Sequence, residues 1–208
     1  MSKQAFDFFE QIRAIRLYGG PTEPAALPAR LACWGVADRL AWVEPEAEVV
    51  EQRVKLALAQ RRAMQDAIQA GAACLLVLEE ETLPLRGAEE FLQGIAAELA
   101  GVDWNVLYLG AATWGEAVEW LPGCRFLAQA GHCAGTHALA YSRAGMERLL
   151  EALPEDAPRM GDWIAERDSY DRFLADFPGR LLARPTLASL PYLLPYEDPR
   201  LREAYQSA

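Results

Sequence analysis

Basic residues are scarce in this chain, and so are the usual soft metal ligands. Lys and Arg number 20 against 30 Asp and Glu, for a formal net charge of −10 over 208 residues. A nucleic-acid binder needs a basic face to neutralise phosphates, and simple docking on anionic lipid needs the same; the balance argues against both. There are two histidines, His132 and His137, and four cysteines, Cys33, Cys74, Cys124 and Cys133, with no Cys-x-x-Cys pair among them. That spacing argues against a zinc site or a disulfide framework and leaves reduced, cytoplasmic thiols as the expectation. No apolar run approaches a membrane span, and Met1–Asp7 lacks the apolar core of a signal peptide, which leaves peripheral membrane attachment open. Neither Gly-x-Gly-x-x-Gly nor Gly-x-x-x-x-Gly-Lys occurs, so a Rossmann-type nucleotide enzyme lacks its fingerprint.

What the chain has is 52% hydrophobic content, enough for a sizeable core. A first strand is expected over Gln11–Leu17, followed by turn chemistry at Tyr18–Thr22. Glu23–Trp34 reads as a short helix closed by Gly35, and Leu40–Glu44 as a second strand. Glu46–Ala70 has the longest helical pattern, ended by Gly71. Ala72–Leu78 is an uninterrupted apolar run, the mark of a fully buried central strand. Gly87–Leu99 reads as a helix and Asn105–Leu109 as a strand. Cys124–Ala130 and Ala138–Ser142 read as short strands around a Gly131–His137 loop. A helix over Arg143–Leu153, a charged helix over Gly161–Phe177 and a strand over Arg180–Ala188 complete the pattern. Strands alternating with helices imply an α/β fold, with a parallel sheet in the first half and a mixed one in the second. One domain over residues 1–190 is expected, with 191–208 as an extension carrying Tyr192, Tyr196 and Tyr205.

The central strand stops at Glu79-Glu80-Glu81. Open α/β sheets bind ligands outside the carboxyl ends of their strands. Strand alternation sends Glu79 and Glu81 to one side, where two carboxylates can hold a hard cation that bridges nucleotide phosphates. The plain alternative is a solvated charge cluster.

Leu75-Leu76-Val77-Leu78-Glu79-Glu80-Glu81 resembles the Leu-Val-Leu-Glu-Asp-Asp segment of glycosyltransferase family 25, the lipooligosaccharide and procollagen glycosyltransferase group. Further segments resemble that family in order: Phe6–Phe9, Arg61–Ala67, Asp103–Gly110, Gly135–Ser142, Gly161–Trp163 and Arg184-Pro185. The resemblance implies a GT-A-like fold, a nucleotide-sugar donor, a saccharide acceptor such as a lipopolysaccharide or other cell-envelope glycan, and Mn²⁺ or Mg²⁺ held by Glu79 and Glu81. Glu79, His137 and Tyr141 would then face substrate, and Asp162 would be the catalytic base or a second metal ligand. A helix N-cap is the alternative for Asp162, and a loop hydrogen bond for His137.

Three departures fall at functional positions. The acidic motif is all glutamate, a Ser-His pair is replaced by Ala59-Gln60, and the basic residues expected after the first strand are missing until Arg30. Two readings therefore stand side by side: a metal-dependent glycosyltransferase, and a catalytically degenerate glycosyltransferase fold that binds or scaffolds.

Overall fold

A computed structural model describes residues 5–17, 26–46, 48–113, 119–131 and 133–190. The Tyr18–Thr22 turn, His132 and the tail from Pro191 lie outside the described residues. The strands and helices, in chain order, are β1 (Gln11–Ile15), α1 (Ala26–Leu31), β2 (Leu40–Val43), α2 (Gln52–Gln69), β3 (Cys74–Glu79), β4 (Leu83–Pro84), α3 (Ala88–Leu99), β5 (Val106–Thr113), β6 (Leu127–Gln129), β7 (Cys133–Ser142), α4 (Arg143–Ala152), α5 (Ala157–Arg167), α6 (Tyr170–Ala175), β8 (Arg180–Ala183) and β9 (Ala188–Ser189).

Seven strands form one sheet in the order β2-β1-β3-β7-β5-β8-β6. β1 runs parallel to β2 and β3, and β5 runs parallel to β8. β7 lies antiparallel to both β3 and β5, and β6 antiparallel to β8. The fold is thus the expected α/β class, parallel in the first half and mixed in the second. β4 and β9 make a separate two-stranded pair.

β3 is interior, and all six of its residues are buried. Its alternation feeds two cores. Leu75 and Val77 pack with residues of α2, α4, α5 and α6, while Cys74, Leu76 and Leu78 pack with α1, α3 and the amino-terminal Phe6 and Phe9. Each such aliphatic side chain contributes roughly 1.5–3 kcal/mol by leaving water. A strand covered on both faces has no polar side, which is why it reads as a continuous apolar run.

Four expected elements differ. α2 begins at Gln52, not Glu46; the preceding Val49-Val50 is β-branched, and Val50 is largely exposed. The helix expected over Gly161–Phe177 is two helices. Asp156 caps α5 by accepting the Arg159 N–H; Asp168 then takes a left-handed φ of 72°, and Ser169 caps α6 by accepting the Arg172 N–H. The strand expected over Arg180–Ala188 is interrupted at Arg184-Pro185, since proline has no N–H for the ladder. The loop expected over Gly131–His137 is instead largely the start of β7.

Candidate site at the carboxyl edge of the sheet

Where β7 meets β5 the register shifts twice, between Tyr108 and Gly110 and again between Gly110 and Ala112, and Gly135 sits at φ +126°. This β-bulge breaks the alternation of β7 and re-aims its side chains. Thr136 turns to the face of Glu79 and donates its hydroxyl to Glu79 Oε1 at 2.5 Å. His137 packs instead against Gly110 and the Ala188 carbonyl. Its own carbonyl accepts the Thr82 hydroxyl at 2.7 Å, which ties the bulge to the acidic turn.

β3 ends at Glu79, and the Thr82 N–H donates to the Glu79 carbonyl at 3.0 Å. The chain therefore turns at residues 79–82, and strand alternation does not extend from Glu79 to Glu81. The Glu80 N–H donates to the Ile15 carbonyl, and the Glu80 carboxylate accepts the Leu17 N–H at 3.0 Å, so this residue fastens β3 to the end of β1. Arg30, in the last turn of α1, donates from Nη2 to the Glu80 carbonyl. Its pKa is lowered by burial, opposed by the nearby Glu81 and Glu80 carboxylates.

Glu79 is 8% exposed. Burial raises its pKa to about 7; the Thr136 bond lowers it, and the charges of Asp171, Glu81 and Glu80 raise it further. Asp171, in the first turn of α6, accepts the Gly135 N–H at 3.0 Å, and burial raises its pKa as well. The bulge thus brings together two carboxyl groups from distant elements.

Beneath them runs a buried polar seam. The Tyr141 hydroxyl donates to Gln60 Oε1 at 3.0 Å and lies 3.1 Å from the Tyr170 hydroxyl. Burial pushes the Tyr141 phenol well above its ordinary value, with the Tyr170 hydroxyl, Tyr108 and Glu79 adding to the effect. Among the described residues, Gln60 Nε2 and the Tyr108 hydroxyl are buried without well-formed hydrogen bonds, although Arg180 lies close to Tyr108. Gln60 is one of the two residues that replace the resembled family's Ser-His pair, and here it supports a tyrosine. His137 is fully buried and its pKa falls to about 4 through burial; the Ala188 carbonyl offsets this slightly, yet neither ring nitrogen makes a well-formed hydrogen bond to a described residue.

Of the site residues named from sequence, Glu79 lies at the centre, and Glu81 is within electrostatic reach of it and of Arg30. Tyr141 lies below, its hydroxyl occupied by Gln60 and Tyr170. His137 faces the β5–β9 contact. Asp162 is exposed in the middle of α5, where Trp163 points inward and Asp156 is the cap. Thr136 and Asp171 carry no sequence signal of their own as site residues. A Ser169 cap followed by an acid was the one local cue near Asp171.

The donor set suits a divalent cation poorly. Glu79 is buried and bonded to Thr136, the Glu80 carboxylate holds Leu17, and a guanidinium stands beside the turn. Among the described residues no group of three His, Cys, Asp or Glu is arranged to hold a metal ion. Hard cations want several converging, ionised oxygens, and a carboxyl with a pKa near 7 is a weak contributor.

No protein-family model matches the sequence, and no curated protein matches it. Solved structures do. A197 from STIV is similar over 83% of this chain and 80% of its own, at 14% identity and a TM-score of 0.47. A glycosyltransferase involved in glycosylation of the major capsid of PBCV-1 is similar over 84% of this chain and 93% of its own, at 11% identity and a TM-score of 0.44. The 4-diphosphocytidyl-2C-methyl-D-erythritol synthase of Anaerococcus prevotii aligns over the whole of both chains, at 11% identity and a TM-score of 0.40. At TM-scores below one-half all three are distant likenesses.

Proposed function

We propose that this chain is a glycosyltransferase-type protein that binds a nucleotide sugar at the carboxyl edge of its sheet and transfers a hexose to a glycan or cell-envelope hydroxyl. The observation that carries this reading is the buried Glu79 carboxyl, held by Thr136 and flanked by Asp171, at the end of the central strand. That is where open α/β sheets take ligands. The ordered segments resembling glycosyltransferase family 25 supply the donor and acceptor classes.

A carboxyl whose pKa is near 7 is suited to accept a proton at neutral pH. In the proposed step the acceptor oxygen bonds to the anomeric carbon, the bond from that carbon to the diphosphate breaks, the electron pair leaves with the diphosphate, and the acceptor proton passes to Glu79. Asp171 holds the bulge and keeps the Glu79 proton affinity high. Asp162, exposed on α5, has no part in it. A cytoplasmic setting belongs to the same proposal, and all four cysteines are unpaired. Among the described residues no helix is long and apolar enough to cross a membrane.

One observation favours the scaffold reading. Gln60 is fully buried against Tyr141, a packing role where the resembled family carries Ser-His. A calorimetric screen of nucleoside diphosphates and their sugar conjugates separates the two, with product analysis of the same samples. Donor binding with slow donor hydrolysis, lost in Glu79→Gln while binding persists, is the expected result. Donor binding without turnover in wild type would leave the scaffold. No binding of any donor would overturn the transferase reading.

A further inference from the structure

The geometry points to Arg30 as the resident positive charge of the acidic turn, in the place where the resembled family would call for a divalent cation. The part of this that concerns the donor rests on the function proposed above; the part that concerns the metal does not.

Four observations support it. Arg30 Nη2 donates to the Glu80 main-chain carbonyl, so the guanidinium is anchored on the turn itself. The Glu81 and Glu80 carboxylates lie close enough to favour its charged form against the burial that opposes it. The other two carboxylates of the run are already engaged, Glu79 by the Thr136 hydroxyl and Glu80 by the Leu17 N–H. Finally, Arg30 Nε is buried and makes no hydrogen bond to any of the described residues.

The last point decides which ligand suits the turn. A divalent cation brought here would meet a fixed guanidinium of like sign and would satisfy none of its donors. A phosphate oxygen would do the opposite. It accepts from Nε and a neighbouring Nη in the forked geometry that guanidinium offers to phosphates, and it relieves a buried donor that is otherwise unmade. Arg30 then meets the charge of a nucleoside diphosphate directly. Glu81 and Glu80 keep the guanidinium in place between ligands. The absence of basic residues earlier in this part of the sequence matters less on this view, since one anchored arginine takes over the charge that the metal would carry.

The test uses the full-length protein and two probes. Mn²⁺ alone is titrated and followed by loss of the free-ion paramagnetic resonance signal. Uridine diphosphate is titrated calorimetrically with EDTA and again with Mn²⁺. Wild type should show no saturable Mn²⁺ uptake below about 1 mM, and Arg30→Gln should gain Mn²⁺ affinity by about tenfold or more. Arg30→Lys, which keeps the charge, should behave as wild type toward Mn²⁺. Uridine diphosphate affinity should be the same with EDTA and with Mn²⁺, and should fall about tenfold in Arg30→Gln. Wild-type uptake of Mn²⁺ at tens of micromolar that Glu81→Gln removes would overturn the inference, and that comparison stands even if Arg30→Gln fails to fold. A tenfold tightening of uridine diphosphate by Mn²⁺ would overturn it too, because coupling of that kind is reciprocal. Absence of uridine diphosphate binding, with the Mn²⁺ results as expected, would support Arg30 as counter-ion and sink the nucleotide-sugar reading alone.

Discussion

Two buried groups with opposite shifts give this protein a concealed pH dependence. Glu79 rises from an ordinary 4.5 to about 7 in the folded chain. The folded state therefore binds more protons than the unfolded state between those values, and stability falls as pH rises through that window. At about 1.4 kcal/mol per tenfold change in proton affinity, the loss above pH 7 is roughly 3 kcal/mol. His137 falls from 6.5 to about 4. Here the folded state binds fewer protons, so the His137 contribution is present above 6.5 and is lost, by roughly the same 3 kcal/mol, as pH drops through 4. Both side chains are at least nine-tenths buried, so solvent screening removes little of either effect. Between about pH 4.5 and 6.5 the two slopes oppose each other, and wild type should show a nearly flat profile. Glu79→Gln removes one slope and should expose the other. Thermal unfolding of both proteins, followed by circular dichroism from pH 5 to 8, is the assay. The melting temperature of Glu79→Gln minus that of wild type should climb with pH, reaching roughly 5–10 °C more at pH 8 than at pH 5, at about 2–4 °C per kcal/mol for a chain of this size. A constant offset between the proteins reflects repacking and is not diagnostic; the slope is. A difference that stays flat from pH 5 to 8, or that slopes the other way, refutes a buried Glu79 with raised proton affinity.

Three further outcomes are expected. Gly110→Ala would drive a methyl group into the Ala188 carbonyl and the His137 ring, so it should destabilise by about 1–3 kcal/mol; an unchanged urea midpoint would contradict the close β5–β9 approach. Tyr141→Phe leaves the Gln60 amide oxygen without its donor and should cost about 1–3 kcal/mol; paired with Tyr170→Phe in a double-mutant cycle, the losses should be clearly non-additive. Ellman's reagent should label at most Cys33 and Cys124 in the native protein and all four thiols in denaturant, because Cys74 and Cys133 are buried and burial pushes the Cys133 thiol up to about 11.

Elements with a regular pattern of burial were legible from sequence. β3 announced itself through six buried residues in a row, and α3 through Leu92, Ile95 and Leu99 at helical spacing. Elements set by one exceptional backbone position were not. Gly131–His137 looked like a loop because it contains glycines and histidines, yet Gly135 is the residue that lets β7 continue through a bulge. Asp168 splits α5 from α6 at a positive φ that aspartate tolerates better than most side chains, and Ser169 caps the new helix, but both are masked by the helical composition on either side. The acidic turn was visible as the centre of the site. Its partners Thr136 and Asp171 lie 57 and 92 positions from Glu79 and meet it only through tertiary structure. Strand periodicity also overreached: it put Glu79 and Glu81 on one face, whereas the 79–82 turn ends the alternation.

The backward strand β7 has a consequence for synthesis. β3 finds its second neighbour only when residues 133–142 exist, so after residue 79 is made one whole edge of the most apolar strand stays unpaired. At ribosomal rates of roughly 5–20 residues per second, that edge is bare for about 3–13 s on every nascent chain. An unpaired apolar strand edge is a template for sticking to other chains. Fragments that stop short of Cys133 should therefore precipitate or engage chaperones more readily than fragments carried past Ser142, in which the bare edge has moved outward from β3 to β5 and waits for β8 at Arg180.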